Sequence, residues 1–262
     1  LSLHDALPIS EKRVYADATD ATTAFVGTAS GVVRVSVSDD IVGEFSLERT
    51  DRVTDVASSD GRLAIGTPED VLVRSDGTFH ETGFGPASAV GYDEDGRLLA
   101  AGEGRLARYE SGWEQLCERK DVRAIDGGMV AAESGIHRLD GTHVGLENAW
   151  DISTTGTPLA ATESGLYYLA NGWMCGLEGD FAVVASDGIQ SHAATTEAFY
   201  RTDDPGGEWA TARLPIEGTV VDVAYAGSVY AVTEEGAFLA NAGDGWRHRS
   251  LGVPDVVGMA VV

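Results

Sequence analysis

The feature that most constrains this chain is that it repeats itself. A short apolar strand, a polar turn, a second apolar strand, a turn ending in Gly and a third strand recur along nearly the whole sequence. Val53–Ala57 (VTDVA) leads into Gly61–Thr67 (GRLAIGT) and then Asp70–Arg74 (DVLVR); Val220–Ala224 (VVDVA) leads into Gly227–Thr233 (GSVYAVT) and then Gly236–Leu239 (GAFL). Further copies begin at Ser88–Tyr92, Val122–Asp126, Trp150–Ser153 and Phe181–Ser186, and SGWEQL (Ser111–Leu116) and NGWMCGL (Asn171–Leu177) read as fourth, outer strands. The equivalent first-strand residues Val56, Val90, Ile125, Ile152, Val184, Val223 and Met259 stand 34, 35, 27, 32, 39 and 36 residues apart. These are blade lengths, a little under the ~40–45 residues of WD-repeat blades. Such short strands cannot bury two faces in isolation, but they can when stacked radially. A sandwich would not repeat its strand order, and a β-helix would show a shorter, stricter period. The expected fold is therefore all-β: a single β-propeller of about seven four-stranded blades.

Ring closure is open at this level. Arg13–Asp17 and Val256–Val262 (VVGMAVV) both read as the innermost strand of blade one, whose other strands are TTAFVGT (Thr22–Thr28) and GVVRVSV (Gly31–Val37). Leu1–Ser10 (LSLHDALPIS) does not match the repeat and lacks the basic start of a signal peptide. It resembles translated adapter sequence and is expected to be a non-native extension ahead of a propeller domain spanning 11–262.

Length and composition agree with one domain: 262 residues with 43% hydrophobic and 23% charged residues suffice for a sizeable core. Charge is the unusual property. Against 42 acidic residues stand 18 basic ones, a formal net charge of -24, and Lys12 and Lys120 are the only lysines. At ~1 M salt the screening length is ~3 Å and the self-repulsion largely vanishes, so the charge fits a high-salt cytoplasm. A nucleic-acid partner is disfavoured, because phosphate neutralisation needs clustered Lys and Arg. No apolar run approaches the ~20 residues of a membrane helix. Cys117 and Cys175 form no metal-binding spacing and are expected to be free thiols.

The acidic bias, the opening KRVYADATDATTAFVGTASGVVRVSVSDDIVGEF from Lys12 to Phe45 and the TESG and AESG turns together resemble a haloarchaeal β-propeller family of uncharacterised function. The resemblance implies a propeller fold and a cytoplasmic location, and it transfers no catalytic residue. Locally, Thr202, Asp204, Gly206 and Trp209 in RTDDPGGEW resemble the Asp box of other propellers, which implies a capped hairpin with a structural role.

Chemistry-bearing patterns are few. No GxSxG, HExxH, Walker or dinucleotide motif stands in proper context, no cofactor or metal is expected, and His80, His137, His143, His192 and His248 read as lone residues in separate blades. Three features recur or stand out. Glu69, Glu103, Glu133, Glu163, Glu197 and Glu234 fall at the turn joining second and third strands, which in a propeller puts them on one face. Arg119, Lys120 and Arg123, with Arg108 nearby, form a basic run that either meets an anionic partner or pairs with Glu118 and Asp121. Asp55, Asp151 and Asp222 repeat in the inner strand, where they either line the channel, with oxygen ligands for a cation, or bond neighbouring backbone. Trp150 is the inner-strand aromatic placed to meet a ligand. The expectation is a monomeric, non-catalytic module binding a protein or small anionic ligand on the face of Glu133, Glu163 and the basic run. The alternative is a carbohydrate-active hydrolase or lyase with carboxylates at the channel mouth.

Overall fold

The computed structural model describes residues 22–262. Strands β1 (Thr22–Thr28) to β28 (Val256–Val261) form seven separate four-stranded antiparallel sheets. The innermost strands of blades two to seven are β4 (Asp55–Ser59), β8 (Ala89–Tyr92), β12 (Val122–Asp126), β16 (Ala149–Ser153), β20 (Val183–Ser186) and β24 (Val220–Ala226). Each touches the next around the ring, and β24 and β4 both touch β28. The protein is a seven-bladed β-propeller.

Closure uses the C-terminal candidate. Strand β28 pairs antiparallel with β1, from Ala24 opposite Val261 to Thr28 opposite Val256, so residues from both sequence ends build blade one. The burial of Val256, Met259 and Ala260 explains why so apolar a segment belongs there. The rival segment Arg13–Asp17 and the expected extension Leu1–Ser10 lie outside the described residues.

The core lies between blades. One cluster joins Tyr230, Val232 and Phe238 of blade seven to Ala24, Val26 and Val35 of blade one; another joins Phe25 and Val32 to Leu63 and Ile65 of blade two. The second strand of each blade therefore buries both faces, which is why stretches such as Leu98–Ala101 and Leu159–Thr162 are continuously apolar or small rather than alternating. At ~1.5–3 kcal/mol for each large buried side chain, these contacts are the main stabilising term.

Tryptophans fasten the rim. Trp113 donates Nε1–H to the Thr82 carbonyl at 3.2 Å and Trp173 to that of Val144 at 3.0 Å, each reaching the preceding blade. Trp209 packs with Leu166 of blade five, and Trp246 lies edge-on to Phe199 of blade six at 5.7 Å. The hairpin holding Trp209 has the Asp-box form: Thr202 Oγ1 donates to the Glu208 carbonyl at 2.9 Å, and Asp204 Oδ1 accepts from the Gly206 N–H at 3.1 Å.

The turn between second and third strands is built by a threonine. Thr67 Oγ1 donates to the Asp70 carbonyl and Thr162 Oγ1 to that of Gly165, both at 2.8 Å. The glycine that follows is needed for close approach as well as for its backbone angle: at Gly236, with φ +83°, a Cβ would overlap the Val253 carbonyl. One sequence expectation is corrected here. His137 and His143 are not in separate blades; both belong to blade four, on paired strands, with ring centroids 4.9 Å apart.

The candidate site at the channel mouth

Six glutamates, Glu69, Glu103, Glu133, Glu163, Glu197 and Glu234, stand exposed in the turns between second and third strands. These turns sit beside the loops that enter the inner strands. Asn148, just before β16, donates its N–H to the Glu133 carbonyl at 2.9 Å and its Nδ2–H to Glu163 Oε2 at 2.9 Å. The Glu234 N–H donates to the Thr219 carbonyl at 2.9 Å, ahead of β24. One face of the disc therefore carries the glutamates and the upper end of the channel. No ion pair among the described residues involves any of the six.

At or just before the start of each inner strand, Thr54, Ser88, Arg123, Trp150, Ala182, Val221 and Val257 stand two before the equivalent positions of the repeat, and the last five of them line the channel cavity. In blades four, five, seven and one, a register shift falls at this residue, so Arg123, Trp150, Val221 and Val257 are β-bulges. Bulges re-aim side chains. The three such residues on blades two to four are polar and bonded: Thr54 Oγ1 donates to the Ala87 carbonyl at 2.8 Å, Ser88 Oγ to that of Val122 at 3.1 Å, and Arg123 Nη1 to that of Ala149 at 3.2 Å. The others are apolar, and Trp150 (42%) and Val257 (39%) remain strongly exposed. Of five tryptophans, Trp150 alone sits on an inner strand. The Arg123 guanidinium lies 3.8 Å from its ring centroid, a cation–π contact.

One residue further in, Asp55, Asp151 and Asp222 face a channel cavity of about 550 Å³. Each carboxylate clasps two adjacent inner strands. Asp55 accepts the N–H groups of Val56 and Val90, and Asp151 those of Ile152 and Val184, all at 2.8 Å; Asp222 accepts those of Val223 and Met259 at 2.6 Å. These residues lie along the channel and bond the backbone. No group of three or more His, Cys, Asp or Glu side chains among the described residues is spaced to hold a metal ion.

Enclosure by the blades pushes all three carboxyls from 3.8 up to about 7, against the opposing pull of the amide donors, and their mutual repulsion adds to the rise. His192, buried beside Tyr225 with Nδ1 2.8 Å from the hydroxyl, is pushed from 6.5 down to about 4 by desolvation and then by Arg201. The signs oppose. Between pH 4 and 7 the folded state holds more protons at the aspartates than the unfolded chain, so their contribution to stability falls as pH rises. His192 contributes stability that is lost as pH falls from 6.5 towards 4. His137, lowered by burial and by Arg119, acts in the same sense as His192, but the three carboxyls outweigh the two histidines, so the native chain should melt at a higher temperature at pH 5 than at pH 8. Changing Asp222→Asn should reduce that slope; an unchanged slope in thermal melts would contradict the assignment.

The basic run divides: Arg119 and Lys120 line a pocket beside Glu103, apart from Arg123. Arg119 turns outward to the Gly141 carbonyl (2.8 Å), Lys120 is exposed beside Gly104, and Arg123 enters the channel mouth. None forms an ion pair with Glu118 or Asp121 among the described residues. Sequence reasoning missed Ala182, Val221 and Val257 as mouth residues. The signal was available in their alignment with Arg123 and Trp150 two places before the repeat's reference position.

Comparison with known proteins agrees with this architecture. The family model described as Beta-prop_HVO_0234-like, beta propeller, matches residues 8–262. Among solved structures, the WD40 β-propeller domain of Doa1 aligns with a TM-score of 0.63 and 15% identity, covering 91% of this chain and 90% of that one. YCF48 bound to D1 peptide aligns at 0.56 and 14%, covering 75% and 81%. Apo AztD from Citrobacter koseri aligns at 0.56 and 12%, covering 89% and 83%. At these identities the likeness is one of fold. No curated protein matches the sequence.

Proposed function

We propose that this chain, which belongs to the Beta-prop_HVO_0234-like family of β-propellers, is a non-catalytic, cytoplasmic binding module adapted to high salt, docking a protein partner on the glutamate face around the channel mouth. The observation that carries this reading is the exposed Trp150 at a channel mouth that also carries the exposed Val257, on a face with six glutamates that have no ion-pair partner among the described residues. A large apolar side chain left in water within a polar rim is the usual mark of an interaction surface. A hydrolase or lyase would need a carboxyl group free to reach substrate. Here the three channel carboxylates already hold neighbouring strands together through both oxygens, which favours binding over catalysis. The test is affinity capture by the native chain in molar KCl from a halophilic host, with the tryptophans footprinted in the free and captured states.

A further inference from the structure

The channel entrance is layered. Its rim carries the six glutamates, which form no ion pair among the described residues. Below it, on the side of blades two to four, Thr54, Ser88 and Arg123 are already satisfied, since each donates to a carbonyl of the next blade. The apolar half, formed by Trp150, Ala182, Val221 and Val257, opens onto the channel cavity, with Arg123 over part of the Trp150 ring. Directly beneath this half, one residue along their strands, lie Asp151 of blade five and Asp222 of blade seven. No cation pairs with either among the described residues.

Each layer rejects some occupants. An anionic group would face the glutamates and then the aspartates. A wholly apolar side chain would suit Trp150 and Val257 but would strip water from the carboxylates below without replacing it, which is costly. A long side chain with an aliphatic stem and a cationic head satisfies both layers, as lysine and arginine do when they snorkel along apolar surface. Its stem meets the part of Trp150 that Arg123 leaves uncovered. Its head reaches the carboxylates, whose oxygens retain a second lone pair after accepting one N–H each.

We infer that the channel mouth receives one arginine or lysine side chain, presented by a basic segment of a partner protein whose remaining positive charges meet the glutamate rim. This rests on the docking face proposed above and names the chemistry of what docks there. The sheer excess of acid over base, 42 residues to 18, gives the complementarity its sign. A cation at this depth also favours the ionised aspartates, so docking releases protons and tightens from pH 6 to pH 8.

The experiment uses the full chain in molar KCl, where non-specific attraction is screened. A fluorescein-labelled peptide, Gly-Gly-Arg-Gly-Gly-amide, is titrated by anisotropy against the same peptide carrying citrulline, which is isosteric and neutral. We expect saturable one-to-one binding of the arginine peptide, and at least about tenfold weaker binding of the citrulline peptide and of the arginine peptide to Trp150→Ala. Trp150→Phe, which keeps an aromatic surface, should retain binding, and a matching melt of each variant guards against a folding defect. Equal binding of the two peptides, or full binding by Trp150→Ala, would overturn the inference. Spermidine binding more tightly than the peptide would also overturn it, by making the mouth a site for free polyamines. If a captured partner protects Trp150 while the two peptides bind alike, the docking face stands and this inference alone falls; if Trp150 is not protected, the docking face falls as well.

Discussion

Removing Val256–Val262 is expected to abolish cooperative folding. Without β28, blade one loses its innermost strand and the ring opens between blades seven and two. Val256, Met259 and Ala260 leave the core, Val26 loses its strand partner Met259, and Asp222 loses the Met259 amide that links blade seven to blade one. Burial of the two large side chains at ~1.5–3 kcal/mol each, the lost Met259–Asp222 hydrogen bond at ~1–3 kcal/mol and the newly exposed faces of the neighbouring strands together amount to about 5–10 kcal/mol. That is comparable with the ~5–15 kcal/mol net stability of a typical domain. Circular dichroism and size-exclusion chromatography in molar KCl provide the check. A truncated chain that is compact and melts with the native midpoint would show that another segment closes the ring.

The blade count and order were legible in the sequence because each blade must bury two faces, and that requirement imprints the same apolar triplet seven times. Closure was not legible. Arg13–Asp17 and Val256–Val262 have similar patterns, and the choice depends on which packs between Phe25 of blade one and Val56 of blade two, a tertiary matter. The site was half legible. Asp55, Asp151, Asp222 and Trp150 were visible as inner-strand residues, since their place in the repeat fixes their place near the axis. The split of the basic run was invisible, because Arg123 is turned into the channel by a bulge that the spacing from Val122 to Ile125 does not announce. Arg119 and Lys120, one loop earlier, stay on the surface. For the same reason Val257 reads as one more apolar residue of a closing strand, whereas its bulge leaves it exposed at the mouth.

Lowering the salt should have the second-largest effect. With a net charge of -24, and six face glutamates that have no ion-pair partner among the described residues, repulsion is held in check mainly by screening. The Debye length grows from ~3 Å at 1 M to ~10 Å at 0.1 M, so charges several residues apart on the surface begin to feel one another. A loss of several kcal/mol is expected, which at ~2–4 °C per kcal/mol lowers the melting temperature by on the order of 10 °C. Melts in KCl from 0.1 to 3 M, repeated in sucrose to separate screening from solvent exclusion, measure it. A melting temperature that does not change with KCl would contradict the high-salt reading of the charge.

The most direct measurement of the docking face is oxidative footprinting of the tryptophans in the free chain and in the chain bearing its captured partner. In the free chain, Trp150 should react first, because Trp113, Trp173, Trp209 and Trp246 are packed against the preceding blades. On capture, Trp150 should become protected while the other four keep their rates. Protection confined to the rim tryptophans, with Trp150 as reactive as before, would place the partner elsewhere and contradict the account.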